Sequence, residues 1–314
     1  MEYRRLGNTG LEVSRLGLGT TSFMGIFGRR DPEESLRTLL HGLDSGINLI
    51  DTAPSYGGGL AEEMVGRALR GRRDEVVVGT KVGCYAPEEF DFSARRIRAE
   101  FEASLDRLGT DHVDVLLAHD IEFGEPGQVI GEVLPLLEQL RAEGRARAIG
   151  VSGLTLPVLA AALEAASLDV VLSYCRYGLH DQGLAGSAAD WSGRQVATLL
   201  GSPVAMGLLT TGGAPSWHPA APELKAAAAR AAALCAGHGT DLAFLAMQFA
   251  SGQDDLASVL TGTGSRSHLE ENIRAFGTAP DPELLKAVTA IFAEVPQNTW
   301  KNEGENEEWQ EKIA

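Results

Sequence analysis

The sequence predicts an α/β fold closed as a (β/α)8 TIM-type barrel, with an N-terminal β-hairpin capping one end. Three observations carry this. Short apolar runs alternate with amphipathic helical runs along the 314-residue chain, the pattern blurring from about Asp181. The apolar runs lack strict in–out alternation, as strands buried on both faces do. No long linker interrupts the series, so residues 1–314 are expected to form one barrel domain. An open doubly wound sheet would want a G-x-G-x-x-G turn leading into a helix after its first strand. Leu16-Gly17-Leu18-Gly19-Thr20-Thr21 supplies two of those glycines and no immediate helix, which favours the barrel.

Residues 3–14 read as the hairpin, turning at Asn8-Thr9-Gly10, and residues 16–19 as the first barrel strand. After a glycine-rich loop, Asp31-Pro32-Glu33-Glu34 opens a helix: Asp caps it, Pro fits its first position, and the acids face the positive end of the dipole. Leu36, Leu39, Leu40 and Leu43 recur at helical spacing, and Gly46 ends the run. Further strands are expected at 47–50, 75–81, 112–118, 148–151, 170–173, 196–202 and 256–260. Helices are expected at 93–108, along Val129, Ile130, Val133, Leu134, Leu137 and Leu140, from near Thr155, and at 221–236, 241–249 and 267–275. The stretch 181–195 is rich in Gly, Ser and Asp, so no regular helix is predicted there. Beyond Trp300 the chain is polar and acidic, and 301–314 is expected to be a mobile tail.

A net charge of −16 argues against nucleic acid and anionic membrane as partners, since both demand a positive surface. No apolar run approaches the ~20 residues that span a bilayer. The start, MEYRRLGNTG, has no apolar core of a signal peptide. Cys84, Cys175 and Cys235 are odd in number and widely spaced, which points to reduced thiols in a cytoplasmic protein, with neither disulfides nor zinc. A small molecule is the expected partner, and no sequence signal sets an oligomeric state.

Barrel enzymes carry their chemistry where the strands end. Strand two ends in Asp51-Thr52-Ala53 with Tyr56 just beyond, strand three in Lys81, and strand four in His119-Asp120. A phenol is a poor acid or base at neutral pH until a neighbour changes it. An adjacent ammonium favours the phenolate, a carboxylate holds that ammonium charged, and an imidazole can orient a substrate oxygen. Asp51, Tyr56, Lys81 and His119 together are acid–base machinery for interconverting an alcohol and a carbonyl.

The segments starting at Leu16 (LGLGT), Asp51 (DTAPSYGGG), Gly79 (GTKVG), Asp114 (DVLLAHD), Gly150 (GVS), Ser202 (SPVAMGLLT) and Leu269 (LEEN) resemble the aldo-keto reductases, in order and spacing over nearly the whole chain. The resemblance implies that Tyr56 exchanges the proton, Lys81 tunes it, Asp51 partners Lys81 and His119 orients the substrate. It also implies a nicotinamide dinucleotide lying across the barrel mouth. Ser152 would hold the carboxamide and Tyr174 would sit at the nicotinamide ring. The loop 202–209, including Ser202, Pro203, Met206, Gly207 and Leu208, would wrap the pyrophosphate with backbone amides and the Ser202 hydroxyl. Gly262, Gly264, Ser265, Arg266, His268, Glu271 and Asn272 would hold the adenosine end.

NADP-preferring relatives place Lys and Arg where this chain has Gly262 and His268, although Arg266 is nearby. NAD is therefore the expected cofactor, with NADP as the alternative, because a 2′-phosphate without cationic partners loses charge-assisted bonds. HDIEFG, LSYCRYG, WHPAAPELK and NTW are further similar to the L-galactose dehydrogenase and aldose 1-dehydrogenase subgroup. That resemblance implies oxidation of the anomeric hydroxyl of a free sugar to a lactone, with Tyr56, His119, Asp120, Glu122 and Trp300 facing the sugar. Two other readings stand beside it: a broad NADPH-dependent aldehyde or ketone reductase, and a nucleotide-sensing interaction module on the same barrel.

Overall fold

The computed structural model describes residues 1–25, 28 and 31–313. Part of the glycine-rich loop expected before Asp31 lies outside these residues, as does Ala314. The chain opens with an antiparallel hairpin, β1 (Tyr3–Arg5) and β2 (Glu12–Ser14). The barrel begins with β3 (Leu16–Gly19), β4 (Leu49–Asp51) and β5 (Val77–Val82). A second small hairpin, β6 (Cys84–Ala86) and β7 (Glu89–Phe90), stands beyond β5. The barrel continues through β8 (Val113–Ala118), β9 (Ala146–Gly153), β10 (Val170–Tyr174), β11 (Ala197–Gly201) and β12 (Leu256–Thr261), and β12 pairs back onto β3. All eight barrel pairings are parallel.

The hairpin plugs the end where the strands begin. Leu6, Leu11 and Val13 are buried in one cluster with the inward-facing Leu49, Val77, Val115, Leu117 and Leu172. The larger cluster lies between barrel and helices and includes Leu39, Phe101, Leu137 and Leu159. Burial of these side chains, each worth roughly 1.5–3 kcal/mol, fixes the strand register and so the position of every strand end. No helix among the described residues is long and apolar enough to cross a membrane.

The structure departs from the sequence expectation in four places. The stripe from Val129 to Leu140 is not one continuous α-helix. A π-turn, Val129–Val133, precedes the α-helix Leu134–Ala142, because Pro135 has no N–H to return to the carbonyl four residues back. Within 181–195 a regular helix does form, Leu184–Gly193, burying Leu184, Ala188 and Trp191; tertiary burial overrides weak propensity. The helix Pro282–Ala293, unanticipated, carries an Asp281 cap and Pro at its start, the same signature as Asp31-Pro32. The tail is docked rather than mobile. Trp309 is 2 % exposed and its indole N–H donates to the Ile121 and Gly124 carbonyls at 3.2 and 3.0 Å. The helix Glu308–Ile313 follows from that anchor.

Candidate active site

The end of the barrel opposite the hairpin gathers the predicted polar residues. Asp51 closes β4, Lys81 is the penultimate residue of β5, and His119 follows β8 directly. Tyr56 sits in the loop after β4, ahead of Gly57, Gly58 and Gly59, all with left-handed φ (65, 64 and 93°). A Cβ on Gly57 would fall 2.5 Å from the Met24 sulfur, so glycine is required there both for conformation and for space.

Lys81 is the hub. Its Nζ donates to Asp51 Oδ2 at 2.7 Å, the Thr52 carbonyl at 2.8 Å and Tyr56 Oη at 3.2 Å. It also lies 4.8 Å from the Tyr56 ring centroid. Lys81 is 1 % exposed, so the ammonium is affordable only because these partners replace its water. Burial opposes its charge, but Asp51 and Tyr56 outweigh burial and hold the ammonium above its ordinary range. Burial raises the Asp51 carboxyl, and Lys81 pulls it back without cancelling the effect.

Tyr56 differs from the expectation. Burial raises its phenol more than Lys81 lowers it, so the site as arranged holds a protonated phenol, not a phenolate. His119 packs edge-on to Tyr56, ring centroids 5.8 Å apart at 79°. Burial and then the Lys81 charge push its imidazole well below the ordinary histidine range, so it is neutral at pH 7. Such a set can pass a proton through Tyr56 Oη while a neutral imidazole orients the oxygen that receives it.

Around this tetrad the expected substrate residues part company. Asp120 stays at the mouth. Its backbone is left-handed (φ 49°), its Oδ2 is 3.8 Å from His119 Nε2, and its Oδ1 is buried without a hydrogen bond among the described residues. Burial lifts its carboxyl to about 7. Glu122, by contrast, is 1 % exposed and tucked beneath the end of β9, where Oε1 accepts the Leu154 N–H at 2.6 Å. It supports the loop rather than facing a sugar, and burial with the Asp120 charge holds it well above the usual carboxylate range. Trp300 does not present a stacking face either. It is 5 % exposed, parallel to His180 (16°, 5.9 Å) and edge-on to His218 (71°, 4.8 Å).

The predicted cofactor residues line the same rim. Ser152 lies near the end of β9, its hydroxyl in long 3.4 Å contacts with the Asp120 N–H and the Ala118 carbonyl, free to exchange these for a better partner. Tyr174 ends β10 and its hydroxyl accepts from Asn302 Nδ2 at 2.8 Å. Asn302 has no sequence signal, because its partner is distant along the chain. Thr52, whose carbonyl receives Lys81, also escaped the sequence reading, although it adjoins Asp51.

In the loop after β11 five of the backbone amides expected to face the pyrophosphate are engaged within the loop itself. Ala205, Gly207, Leu208 and Leu209 N–H groups bond to carbonyls within the loop, and Met206 N–H donates to Ser202 Oγ at 3.1 Å. The loop also carries the Ser202 hydroxyl and a left-handed shape, with Pro203, Met206, Gly207 and Leu208 forming the turn.

After β12, Gly262 is exposed and Gly264 is buried with its carbonyl accepting from Thr38. Ser265 begins the helix Arg266–Phe276 without capping it by its side chain, leaving first-turn amides to meet an anion or ribose oxygen. His268 and Glu271 are exposed, and Asn272 Nδ2 donates to Thr261 Oγ1 at 2.7 Å. Arg266 pairs with Glu270 at 2.9 Å.

A closed parallel barrel with this rim is the frame of an oxidoreductase. The chain matches the Aldo/keto reductase family over residues 15–292 and belongs to it, and it is an NAD(P)-dependent oxidoreductase. It is similar to L-galactose dehydrogenase of Arabidopsis thaliana, 41 % identical, covering 96 % of this chain and 97 % of that protein. It is 31 % identical to D-threo-aldose 1-dehydrogenase of a Pseudomonas species, covering 84 % and 89 %. Among solved structures it is similar to the holo form of an aldo-keto reductase from Bacillus halodurans, with a TM-score of 0.78 at 26 % identity, covering 98 % and 100 %.

Proposed function

We propose that the protein oxidises the anomeric C1 hydroxyl of a free, L-galactose-like aldose to its lactone, with NAD as acceptor, in the cytoplasm. The observation that carries the reading is Asp120: a carboxyl at the mouth, beside His119, with one oxygen that has no hydrogen bond among the described residues. A site for simple aldehydes has no use for such a group, since burying it costs desolvation with no return. A polyhydroxylated substrate repays that cost. The likeness to two sugar dehydrogenases supports the same substrate class.

Bound nicotinamide dinucleotide would accept the C1 hydride. Ser152 and Tyr174 would seat its nicotinamide end, Ser202 its pyrophosphate, and Ser265 to Asn272 its adenosine. The uncapped helix start at Ser265 and the loosely held Ser152 hydroxyl fit that role. Tyr56 Oη takes the C1 hydroxyl proton, Lys81 stabilises the phenolate that accepts it, Asp51 keeps Lys81 charged and placed, and neutral His119 fixes the substrate oxygen. Arg266, engaged by Glu270, is a divided partner for a 2′-phosphate, which supports NAD.

The protonated Tyr56 also suits reduction, where the phenol gives its proton to a carbonyl. The sign of the pH dependence separates the directions. Oxidation needs the deprotonated phenol, whose fraction grows as pH climbs toward its raised value, so oxidation accelerates into the alkaline range. Reduction uses the protonated phenol and declines only there. The deciding experiment is a panel of L-galactose, L-fucose, D-arabinose and simple aldehydes, each with NAD(H) and NADP(H). NAD-linked oxidation of a free aldose is expected; activity confined to aldehydes with NADPH would overturn the proposal.

A further inference from the structure

The loop after β11 holds an unusual concentration of left-handed backbone. Ser202, Ala205 and Met206, none of them glycine, have φ of 54, 49 and 52°, and Gly207 follows at 93°. Such conformations cost of order 1–3 kcal/mol each and persist only where surroundings enforce them. Ala205 is fully buried, and its carbonyl receives two donors: the Leu208 N–H at 3.0 Å from within the loop, and the His218 ring from outside it at 2.9 Å.

The tautomer of His218 follows from its neighbours. The Ala220 N–H donates to Nδ1 at 3.1 Å, so Nδ1 carries the lone pair, the proton sits on Nε2, and Nε2 donates to Ala205. The ring is held in place on both sides. Trp217 stacks on it (21°, 6.2 Å) and Trp300 meets it edge-on at 4.8 Å. Lys225, from the helix Pro222–Gly237, ties down the His218 carbonyl at 2.7 Å. Burial keeps the imidazole below its ordinary range, with Lys225 adding in the same sense. The catalytic tetrad makes no use of this group.

We infer that His218 is a positioning residue for the cofactor: by donating to the Ala205 carbonyl it locks loop 202–209 in the left-handed shape that places Ser202 against the pyrophosphate. Trp300, buried behind the imidazole, then serves the cofactor side of the site by holding His218 in place. This rests on the proposed placement of the pyrophosphate at Ser202.

The test compares His218→Gln, whose amide N–H reaches the Ala205 carbonyl, with His218→Asn, whose shorter side chain can still accept from Ala220 but not reach Ala205. Dissociation constants for NADH, ADP-ribose and AMP are measured by protein fluorescence, alongside thermal melting. His218→Asn should weaken NADH and ADP-ribose roughly 5- to 10-fold, the weight of one hydrogen bond, and leave AMP unchanged. His218→Gln should stay near wild type for all three. Equal weakening in both variants, or a loss that AMP shares, would mean His218 is packing alone and overturn the inference. A wild-type chain that binds ADP-ribose no better than AMP would overturn both the inference and the placement of the pyrophosphate. Wild-type binding that weakens normally on Ser202→Ala but is indifferent to His218→Asn would sink the inference and spare that placement.

Discussion

The two ends of the barrel differ in how completely their buried polar groups are partnered. At the hairpin end Asp114, 2 % exposed in its side chain, is fully matched: it accepts from Val78 N–H and pairs with Arg73 and Arg147, each at 2.9 Å. These groups line a depression of about 390 Å³ with Asn48 and His112, and Arg73 is further tied to the Thr110 hydroxyl and two carbonyls. At the mouth, beside the fully partnered Lys81–Asp51 pair, His119 Nδ1, Asp120 Oδ1 and Ser173 Oγ are buried with no hydrogen bond among the described residues. A buried polar atom without a partner costs about 1–3 kcal/mol, so a fold keeps several together only where something repays them. The proposed function uses this difference: the matched end is left to stability, and the unmatched groups at the mouth are those the proposed substrate and cofactor would satisfy.

The comparison breaks most decisively at Tyr56. Tyr56→Phe should lower turnover by roughly 10²–10⁴, the range for losing a general acid–base group, with little change in urea midpoint; a variant of wild-type activity would remove Tyr56 from the proton transfer. Asp114→Asn at the other end should do the reverse. It strands two arginines that partly reach water, for a stability cost of about 1–3 kcal/mol. Turnover of the folded protein should stay at the wild-type level, and a large kcat loss would contradict the division of labour.

Asp120→Asn sharpens the picture at the mouth. With the carboxyl near 7, the charged form that accepts substrate hydroxyls is present above that pH and lost below it. KM for an aldose should therefore rise as pH falls through about 7, and the Asn variant should flatten that dependence while raising KM about 10-fold. A KM that is flat with pH in the wild type would remove Asp120 from substrate binding. The smallest effect is expected at Glu122→Gln. Burial and the Asp120 charge hold the carboxyl well above the usual carboxylate range, so removing its charge changes little, and the amide can still accept from Leu154; steady-state parameters should move by less than roughly threefold. A large change in KM would restore Glu122 as a sugar ligand.

How much of this was legible beforehand differs by element. The docked tail was hidden. Trp309 looks like any aromatic in an acidic stretch, and its acceptors at Ile121 and Gly124 lie more than 180 residues away. The helix Pro282–Ala293 could have been found from its Asp-Pro-Glu start. The helix Leu184–Gly193 could not, since its residues favour turns locally and only the socket for Trp191 decides otherwise. The π-turn before Leu134 was readable in hindsight from Pro135.

By itself the sequence determined the barrel and which side chains stand at its strand ends, because short apolar runs and helix caps are local properties. It therefore placed Asp51, Tyr56, Lys81 and His119 at a common rim. Only the tertiary structure decided their states and neighbours: that burial keeps the Tyr56 proton on, that Glu122 and Trp300 turn inward while Asp120 stays at the mouth, and that His218 holds the loop at Ser202. Those outcomes depend on desolvation and on contacts between segments far apart in the chain, which no local pattern encodes.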